Sequence, residues 1–227
     1  MFIGKKTVFV HTPKCAGTFI REFLSSMRMG KSLRKWHVPA CEFDSGDRVL
    51  FSSVREPLSY YRSLYKYHKK KPKRENMRFY NYWSTNQSFE KFLLDMINDE
   101  EEKTIDLALG RDPFKPVVKW MRDLDIGFFT VVHLYMCFDH KVFGDIGNYK
   151  DYKIVKDFVK VENICEDMAR VLQLDERAQE ILKKREIKNV SNGKDLECSQ
   201  ELVDLIVHKD RVVYESFYPE VRSEDIF

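Results

Sequence analysis

The feature that most constrains this chain is the segment from Val8 to Ile20, which passes from an apolar strand through a lysine-bearing loop into a helix. Thr7 to Val10 are β-branched and aromatic, which predicts a buried strand. The apolar residues from Phe19 to Leu24 recur at helical spacing, so Gly17 falls at the N-terminus of a helix. A strand, a short loop containing Lys14 and a helix therefore follow one another within the first part of the chain.

This arrangement predicts an anion site. Unpaired backbone N–H groups and the positive end of the helix dipole meet at a helix N-terminus, and Lys14 adds a full charge. In the Walker A loop, G-x-x-x-x-G-K-[ST], the lysine follows the last glycine, whereas Lys14 precedes Gly17 and no earlier glycine opens the loop. We expect a phosphate to bind here, but not at an ordinary ATP or GTP site.

Composition favours one α/β domain over residues 1–227, since 43% hydrophobic and 14% aromatic content supports a packed core. The formal charge of +3 gives weak support for attraction of the whole protein to nucleic acid. The five cysteines are scattered and form no Cys-x-x-Cys pair, which predicts reduced thiols and no zinc site.

A second strand, from Arg48 to Val54, ends before Arg55-Glu56-Pro57. Proline suits the first turn of a helix, and apolar residues recur at helical spacing from Leu58 to His68. The two strands and the helix between them predict a parallel, right-handed unit. Both loops would open at the carboxyl edge of a short, mainly parallel sheet with helices on both faces, where open α/β folds bind ligands.

The remaining chain is predicted less completely. The segment Ile126 to Phe138 fits either a strand or a buried helix, and the sequence leaves most of residues 70–150 undecided. Further elements are predicted as follows: helices at Phe89 to Ile97, from Pro113 to Met121, at Ile164 to Leu172, near Asp175 to Glu186 and at Ser199 to Phe217, a strand at Phe158 to Asn163, and a polar loop at Lys188 to Lys194.

Arg55 predicts a second anion site beside the loop, because it follows the second strand directly. Ser63 lies two helical turns further on and could share the ligand of Arg55. Arginine offers a planar, charged fork for phosphate oxygens, and serine supplies a neutral hydrogen bond. Two separate anion sites indicate a nucleotide that is phosphorylated at both ends.

These residues resemble the PAPS-dependent sulfotransferases, especially the carbohydrate branch with the uronosyl 2-O-sulfotransferases. His11 to Thr18 (H-T-P-K-C-A-G-T) is similar to that family's 5′-phosphosulfate loop, H-x-P-K-[TC]-A-G-[TS]. Arg55-Glu56-Pro57 with Ser63 is similar to its 3′-phosphate motif, R-[DE]-P followed by a helical serine. Phe158 to Asp167 resembles the strand and helix after these motifs, and Asn189 to Lys194 resembles the loop that closes over the nucleotide.

The resemblance implies a P-loop-like three-layer fold and transfer of the sulfuryl group of PAPS to a hydroxyl group, most simply on a carbohydrate, without a metal. Lys14 would bind the oxygen that bridges phosphorus and sulfur. The implied cofactor-binding residues are Lys14, Cys15, Ala16, Gly17, Thr18, Phe19, Arg55, Ser63, Asn189, Ser191 and Lys194. Cys15 would contribute its backbone and not a nucleophilic thiol.

The acceptor hydroxyl needs a general base, and His37 is the candidate because the pKa of free histidine near 6.5 suits proton removal at neutral pH. His37-Val38 also resembles the catalytic His-Val pair of the uronosyl 2-O-sulfotransferases, although the flanking residues differ. Glu42 and Asp44 are rivals, since many relatives use glutamate.

Two other functions remain open at this point: a P-loop kinase, and a basic nucleic-acid-binding module for which the run Lys66 to Arg74 is the main sign. Within the enzyme interpretation, that run could guide an acidic glycan acceptor, and no nucleic acid is expected as a partner. The start of the chain does not resemble a signal peptide, and no apolar run reaches the roughly 20 residues of a membrane span. If the chain is complete, a cytoplasmic location is expected.

Overall fold

The computed structural model of the protein describes residues 1–33, 37–69, 88–97, 120–185 and 196–221. These residues belong to two compact units. The first unit comprises Met1–Arg55 and Val132–Val190, and the second comprises Glu56–Val131 and Ser191–Phe227. Within the described ranges, no helix combines the length and the apolar character needed to cross a lipid bilayer.

A five-stranded sheet organises the first unit. Its strands are β1 (Phe2–Gly4), β2 (Thr7–Val10), β3 (Gly30–Ser32), β4 (Val49–Val54) and β5 (Asp157–Lys160), in the order β3-β1-β2-β4-β5. β2, β4 and β5 run parallel, whereas β1 is antiparallel to β2 and to β3. The sheet is thus mixed, and the prediction of a mainly parallel sheet holds only for its β2-β4-β5 part. The reason is that a two-residue connection between β1 and β2 permits only antiparallel pairing.

The helices lie between and after these strands. They are α1 (Gly17–Ser26), α2 (Pro57–Lys69), α3 (Phe89–Ile97), α4 (Phe128–Cys137), α5 (Ile164–Leu172), α6 (Glu176–Lys183), α7 (Gln200–Lys209) and α8 (Arg211–Phe217), with short 3₁₀ segments at Ala40–Glu42, His140–Gly144, Ile146–Tyr152 and Val161–Asn163. The predicted bounds of α3 and α5 are confirmed.

Three helix predictions need comment. The undecided segment Ile126 to Phe138 contains α4, and it lacked a periodic signal because every residue in it is buried. The single helix predicted over Ser199 to Phe217 is wrong: the chain forms α7 and α8, divided at Asp210. Residues 113–119 of another predicted helix lie outside the described residues.

Helices cover both faces of the sheet in the first unit. On one face, Phe9, Phe51 and Val159 pack in a buried core with the apolar side of α1 and with residues of α5. On the other face, the ring of His133 on α4 lies 5.3 Å from the ring of Phe158 on β5. This arrangement confirms an α/β fold with a sheet flanked by helices.

The register of the parallel strands creates one shared edge. Val10 pairs with Ser52, and Val54 pairs with Lys160, so the carboxyl ends of β2, β4 and β5 lie side by side. The chain leaves these strands at His11, Arg55 and Val161. Both anion motifs of the sequence therefore begin at one edge of the sheet, as predicted.

A buried polar network lies in the second unit. The carboxylate of Asp210 is fully buried and accepts hydrogen bonds from the Tyr61 hydroxyl (2.8 Å) and the Thr130 backbone N–H (2.8 Å). Residue 127 packs beside this carboxylate and must be a glycine. A Cβ there would lie only 2.5 Å from Oδ1 of Asp210, which is too close for any side chain. Asp210 is also the residue that divides α7 from α8, and its backbone (φ −98°, ψ 25°) departs from helical values there.

The hydrogen bonds of Glu56 explain why an acidic residue precedes Pro57 in the motif Arg55-Glu56-Pro57. Its carboxylate accepts hydrogen bonds from the backbone N–H groups of Leu58 (2.8 Å) and Ser59 (2.6 Å), and from the Tyr214 hydroxyl (2.5 Å). The side chain therefore caps the N-terminus of α2, where a negative charge is favoured by the helix dipole.

Candidate functional site

The loop between β2 and α1 has an unusual backbone. Lys14 (φ 62°) and Ala16 (φ 55°) both adopt the left-handed conformation, which costs on the order of 1 kcal/mol for a residue with a Cβ. Such strain is concentrated at functional sites, where the surrounding structure enforces it. The second left-handed residue, Ala16, is the N-cap of α1 and provides no side-chain cap.

The N-terminus of α1 can therefore receive an anion. The first N–H groups of a helix have no intrahelical acceptor, and the cap residue is an alanine. Thr18 lies in the first turn with its side chain exposed, and Lys14 is half-buried in the preceding loop. Backbone donors, a hydroxyl group and an ammonium group are thus available along one short segment.

Buried hydroxyl groups fasten this loop to the sheet. Ser53 of β4 donates a hydrogen bond to the carbonyl oxygen of Cys15 (2.5 Å), and the hydroxyl groups of Thr12 and Ser52 lie 2.9 Å apart. Ser52 also donates to the carbonyl oxygen of Val10 at 2.7 Å. Sequence analysis missed these serines, although two adjacent serines inside an otherwise apolar strand were a usable signal.

Arg55 extends from the end of β4 to the same loop. Its Nη1 atom lies 3.4 Å from the carbonyl oxygen of Lys14 and donates a hydrogen bond to it. The sequence predicted that both cations would lie at the carboxyl edge of the sheet, and the structure brings Arg55 into contact with the loop that carries Lys14.

The Cys15 thiol is fully buried, and this burial raises its pKa. The nearby charges of Arg55 and Glu162 act on it in opposite directions. A thiol that stays protonated is a poor nucleophile. The Cys15 backbone N–H donates to the Thr12 carbonyl oxygen at 3.4 Å, so Cys15 helps to hold the loop in shape.

Sequence analysis did not single out Glu162 as a site residue. It lies in the 3₁₀ segment Val161–Asn163, which directly follows β5 at the carboxyl edge, and its side chain is exposed. Its negative charge raises the pKa of the Cys15 thiol, with a smaller effect than burial and than the opposing charge of Arg55.

His11 and Gly17 pack directly against each other. A Cβ on Gly17 would lie 1.9 Å from Cδ2 of His11, so only glycine fits at the first residue of α1. His11 is 5% exposed, and burial followed by the effect of His37 lowers its pKa to about 2. The imidazole is therefore neutral at physiological pH.

His37 lies beside the loop. Its Nδ1 atom is 3.0 Å from the carbonyl oxygen of His11, and the two imidazole rings are 4.7 Å apart. Because a carbonyl oxygen only accepts hydrogen bonds, Nδ1 carries the proton and Nε2 of the neutral ring carries the lone pair. Desolvation lowers the pKa of His37, with a smaller effect from the positive charge of Arg21, while the backbone hydrogen bond opposes the shift. The residue thus has the tautomer that a general base needs.

Glu42 and Asp44, the alternative candidates for the general base, lie in environments that differ from that of His37. The Asp44 carboxylate accepts a hydrogen bond from the Gly46 backbone N–H (2.9 Å), which makes it part of a turn. Glu42 is exposed in the 3₁₀ segment Ala40–Glu42. Neither shows a contact with the loop that carries Lys14 among the described residues.

The other predicted site residues are placed as follows. Ser63 lies on α2 in the second unit, where its side chain is buried. Its partnership with Arg55 stays a prediction. Asn189, Ser191 and Lys194 lie outside the described residues, as do residues 70–74 of the basic run. Lys66 to Lys69 form the last turn of α2, where the helix dipole favours positive charge.

Comparison of the chain with protein-family models, with curated proteins and with solved structures finds no match. The function must therefore be inferred from the residues and geometry of the loop.

Proposed function

We propose that the protein is a sulfotransferase that transfers the sulfuryl group of PAPS to a hydroxyl group on a carbohydrate and releases adenosine 3′,5′-bisphosphate. The observation that carries the proposal is the contact between Arg55 and the carbonyl oxygen of Lys14. It joins two cationic motifs, which are separate in sequence, at one edge of the sheet. We further propose that the β2-β4-β5 part of the sheet and α1 form a P-loop-like phosphate site.

The loop suits a 5′-phosphosulfate. The N–H groups at the start of α1 and the exposed hydroxyl of Thr18 would donate to phosphate oxygens. Lys14 would contact the oxygen that bridges phosphorus and sulfur. Arg55 would bind the 3′-phosphate, for which its planar guanidinium group is well matched. PAPS supplies an activated sulfuryl group whose bond to the bridging oxygen is broken in the reaction.

The residues of the loop would stabilise the charge that develops during transfer. As the acceptor oxygen bonds to sulfur, the electron pair of the breaking sulfur–oxygen bond passes to the bridging oxygen. A fixed ammonium group at Lys14 would then stabilise the transition state more than the ground state. Because the charge is already provided by Lys14, the proposal requires no metal.

Nε2 of His37 would take the proton of the acceptor hydroxyl. The hydrogen bond from Nδ1 to the carbonyl oxygen of His11 holds the required tautomer and orients the ring. The reaction is then balanced: the acceptor gains a sulfuryl group, its proton goes to His37, and the bisphosphate leaves with the electron pair.

A transfer assay tests the proposal. The protein would be incubated with sulfur-labelled PAPS and a panel of glycans, and label in the glycan would be counted with and without a chelator. We expect transfer that is unaffected by the chelator and is lost in Lys14→Ala. Lys5→Ala is the matched control, because Lys5 is exposed between β1 and β2. Transfer that requires an added divalent metal would contradict the proposal.

A further inference from the structure

Two side chains at the end of β4 contact two successive carbonyl groups of the loop between β2 and α1. Ser53 donates a hydrogen bond to the carbonyl oxygen of Cys15 (2.5 Å), and Nη1 of Arg55 donates to that of Lys14 (3.4 Å). Ser53 and Arg55 are two residues apart, so their side chains lie on the same side of an extended chain. The end of one strand therefore fixes the direction of two neighbouring carbonyl groups.

The Cys15 carbonyl group also fixes the direction of the next N–H group. No cis peptide bond occurs among the described residues, and in a trans peptide the C=O and N–H groups point in opposite directions. The Cys15 carbonyl oxygen points to Ser53, which is fully buried in the sheet. The Ala16 N–H, which belongs to the same peptide group, therefore points away from Ser53.

The Ala16 N–H belongs to a group of donors that can receive an anion. Within the part of the chain that the structure describes, this N–H donates to no acceptor. Ala16 is left-handed (φ 55°, ψ 18°), and Gly17 begins the right-handed helix α1. A left-handed residue next to a right-handed one forms a backbone nest, in which successive N–H groups converge on one anion. The N–H groups of Ala16, Gly17 and Thr18 thus form one concave donor set.

A serine at position 53 serves this loop and not the sheet. The side chain is fully buried in β4, and the residue that pairs with it on β5, Val159, is apolar. Burial of a hydroxyl group is unfavourable unless a hydrogen bond compensates it. The compensating bond of Ser53 goes to Cys15, whose N–H also donates to the Thr12 carbonyl oxygen (3.4 Å). Both backbone groups of Cys15 are therefore held.

We propose that Ser53 is a positioning residue: through Cys15 it holds the Ala16 N–H toward the bound anion, without contacting the anion itself. The inference rests on the proposed function, in which that anion is the 5′-phosphate of PAPS. Loss of the Ser53 hydroxyl would let the peptide group between Cys15 and Ala16 rotate, because rotation relieves the left-handed strain at Ala16. Lys14 would keep its carbonyl contact with Arg55, so the loss should fall on binding and not on the transfer step.

Calorimetry with three anions measures the effect on binding. Adenosine 3′,5′-bisphosphate, ATP and pyrophosphate are each titrated into the wild type, Ser53→Ala and Ser53→Thr. Ser53→Ala should weaken whichever anion the wild type binds by about tenfold to a hundredfold, the range for one hydrogen bond to a charged group. Ser53→Thr keeps the hydroxyl group and should bind within about threefold of the wild type.

Two further variants separate positioning from packing. Val8→Ala is the matched control, because Val8 is fully buried in β2 and lies on the sheet face opposite to that of its neighbour Phe9 in the α1 core. It should lose stability and bind anions as the wild type does. Ser53→Cys keeps nearly the same volume with a weak donor, so it should bind as weakly as Ser53→Ala even if the added methyl group of threonine prevents folding. Urea unfolding establishes that each variant is folded.

Amide NMR and kinetics give readouts that a loss of stability alone would not change. The amide resonance of Ala16 should shift on addition of the anion in the wild type and in Val8→Ala, and should not shift in Ser53→Ala. Ser53→Ala should raise the KM for PAPS about tenfold or more and leave kcat within about threefold, whereas Lys14→Ala should mainly lower kcat.

The proposal is overturned if Ser53→Ala binds the anions as the wild type does, if Val8→Ala weakens binding equally, if a bound anion leaves the Ala16 amide resonance unchanged, or if the wild type binds none of the three anions. Failure of the proposed function gives a different pattern, in which the wild type binds ATP or pyrophosphate but not the bisphosphate, or transfers no sulfuryl group. Anion binding that depends on Ser53 would still support the positioning role in that case.

Discussion

The imidazole of His11 occupies the space next to Gly17, so that a Cβ on residue 17 would lie 1.9 Å from Cδ2 and 2.0 Å from Nε2 of the ring. The two residues enclose the loop that contains Lys14: His11 is where the chain leaves β2, and Gly17 is where α1 begins. The shape of the loop from His11 to Ala16 therefore depends on the absence of a side chain at residue 17.

Gly17→Ala should displace His11 and the start of α1, because buried rings in a packed core cannot move freely. We expect a loss of about 1 to 3 kcal/mol in the free energy of unfolding and weaker binding of adenosine 3′,5′-bisphosphate. Urea unfolding and calorimetry would measure these effects. Gly147→Ala is the control, since a Cβ there meets nothing within 4 Å. Equal behaviour of the two variants would contradict the packing argument.

Lys14→Ala and Arg55→Ala should differ in kinetics. The first removes a charge that acts on the transition state, so kcat should fall by roughly a hundredfold or more. The second removes a ligand of the 3′-phosphate and a hydrogen bond to the loop, so it should mainly raise the KM for PAPS. Initial rates at varied PAPS concentration separate the two effects. The same loss of kcat at saturating PAPS, with unchanged KM in both variants, would contradict this division of roles.

His37→Ala should retain binding of the bisphosphate and should lower transfer by roughly a hundredfold to ten-thousandfold. His37→Gln tests the same point with a side chain that can hydrogen-bond but cannot act as a base at neutral pH. Because desolvation lowers the pKa of His37 below its usual value of 6.5, its neutral form should persist on mild acidification. The wild-type rate should therefore decline only below about pH 6.5, and unchanged transfer in both variants would exclude His37 as the base.

Acid should destabilise the protein through its buried histidines. Burial lowers the pKa of His11 to about 2 and that of His133 to about 3, so their contribution to stability is present above pH 6.5 and is lost as the pH falls. Burial raises the pKa of Asp210 from 3.8 to about 6, so its contribution is present below pH 3.8 and is lost as the pH rises through 6. Between pH 6 and 4, the two histidines outweigh the aspartate, so the free energy of unfolding should fall on acidification by on the order of 1 kcal/mol per pH unit.

Asp210→Asn isolates one part of this balance. Without the opposing carboxyl group, the free energy of unfolding should fall more steeply on acidification, by on the order of a further 1 kcal/mol per pH unit between pH 6 and 4. Urea unfolding of both proteins across this range would measure the two slopes. Parallel pH profiles for the wild type and the variant would show that Asp210 does not titrate in the folded protein as described.

Long periodic or apolar segments of the fold were predictable from the sequence, and short or fully exposed ones were not. β2 is predicted with its observed bounds because Thr7 to Val10 carry strand-forming residues. β3 escapes prediction because its three residues, Gly30 to Ser32, are all exposed and show no alternation. α7 and α8 are predicted as one helix because nothing in the local sequence reveals that the Asp210 carboxylate accepts hydrogen bonds from Tyr61 and Thr130, far away in the chain.

In the candidate site too, some features were predictable from the sequence and others were not. Lys14 and Arg55 could be predicted to lie at one edge, because the carboxyl ends of parallel strands meet there. The hydrogen bond of Ser53 to Cys15, and that of His37 to His11, could not be predicted, because each joins segments more than 20 residues apart. Local patterns predict which residues bind an anion, whereas the contacts that hold the loop in shape depend on the tertiary structure.

The central claim is that the loop around Lys14 binds a nucleotide with phosphates at both ends. Calorimetric titration with adenosine 3′,5′-bisphosphate and with ATP tests it most directly. We predict that the bisphosphate binds at least about tenfold more tightly than ATP, and that Lys14→Ala weakens this binding while Lys5→Ala does not. Tighter binding of ATP would instead indicate a kinase-like site, and binding only to polynucleotides, governed by salt concentration, would indicate a nucleic-acid-binding module. Either result would contradict the sulfotransferase proposal.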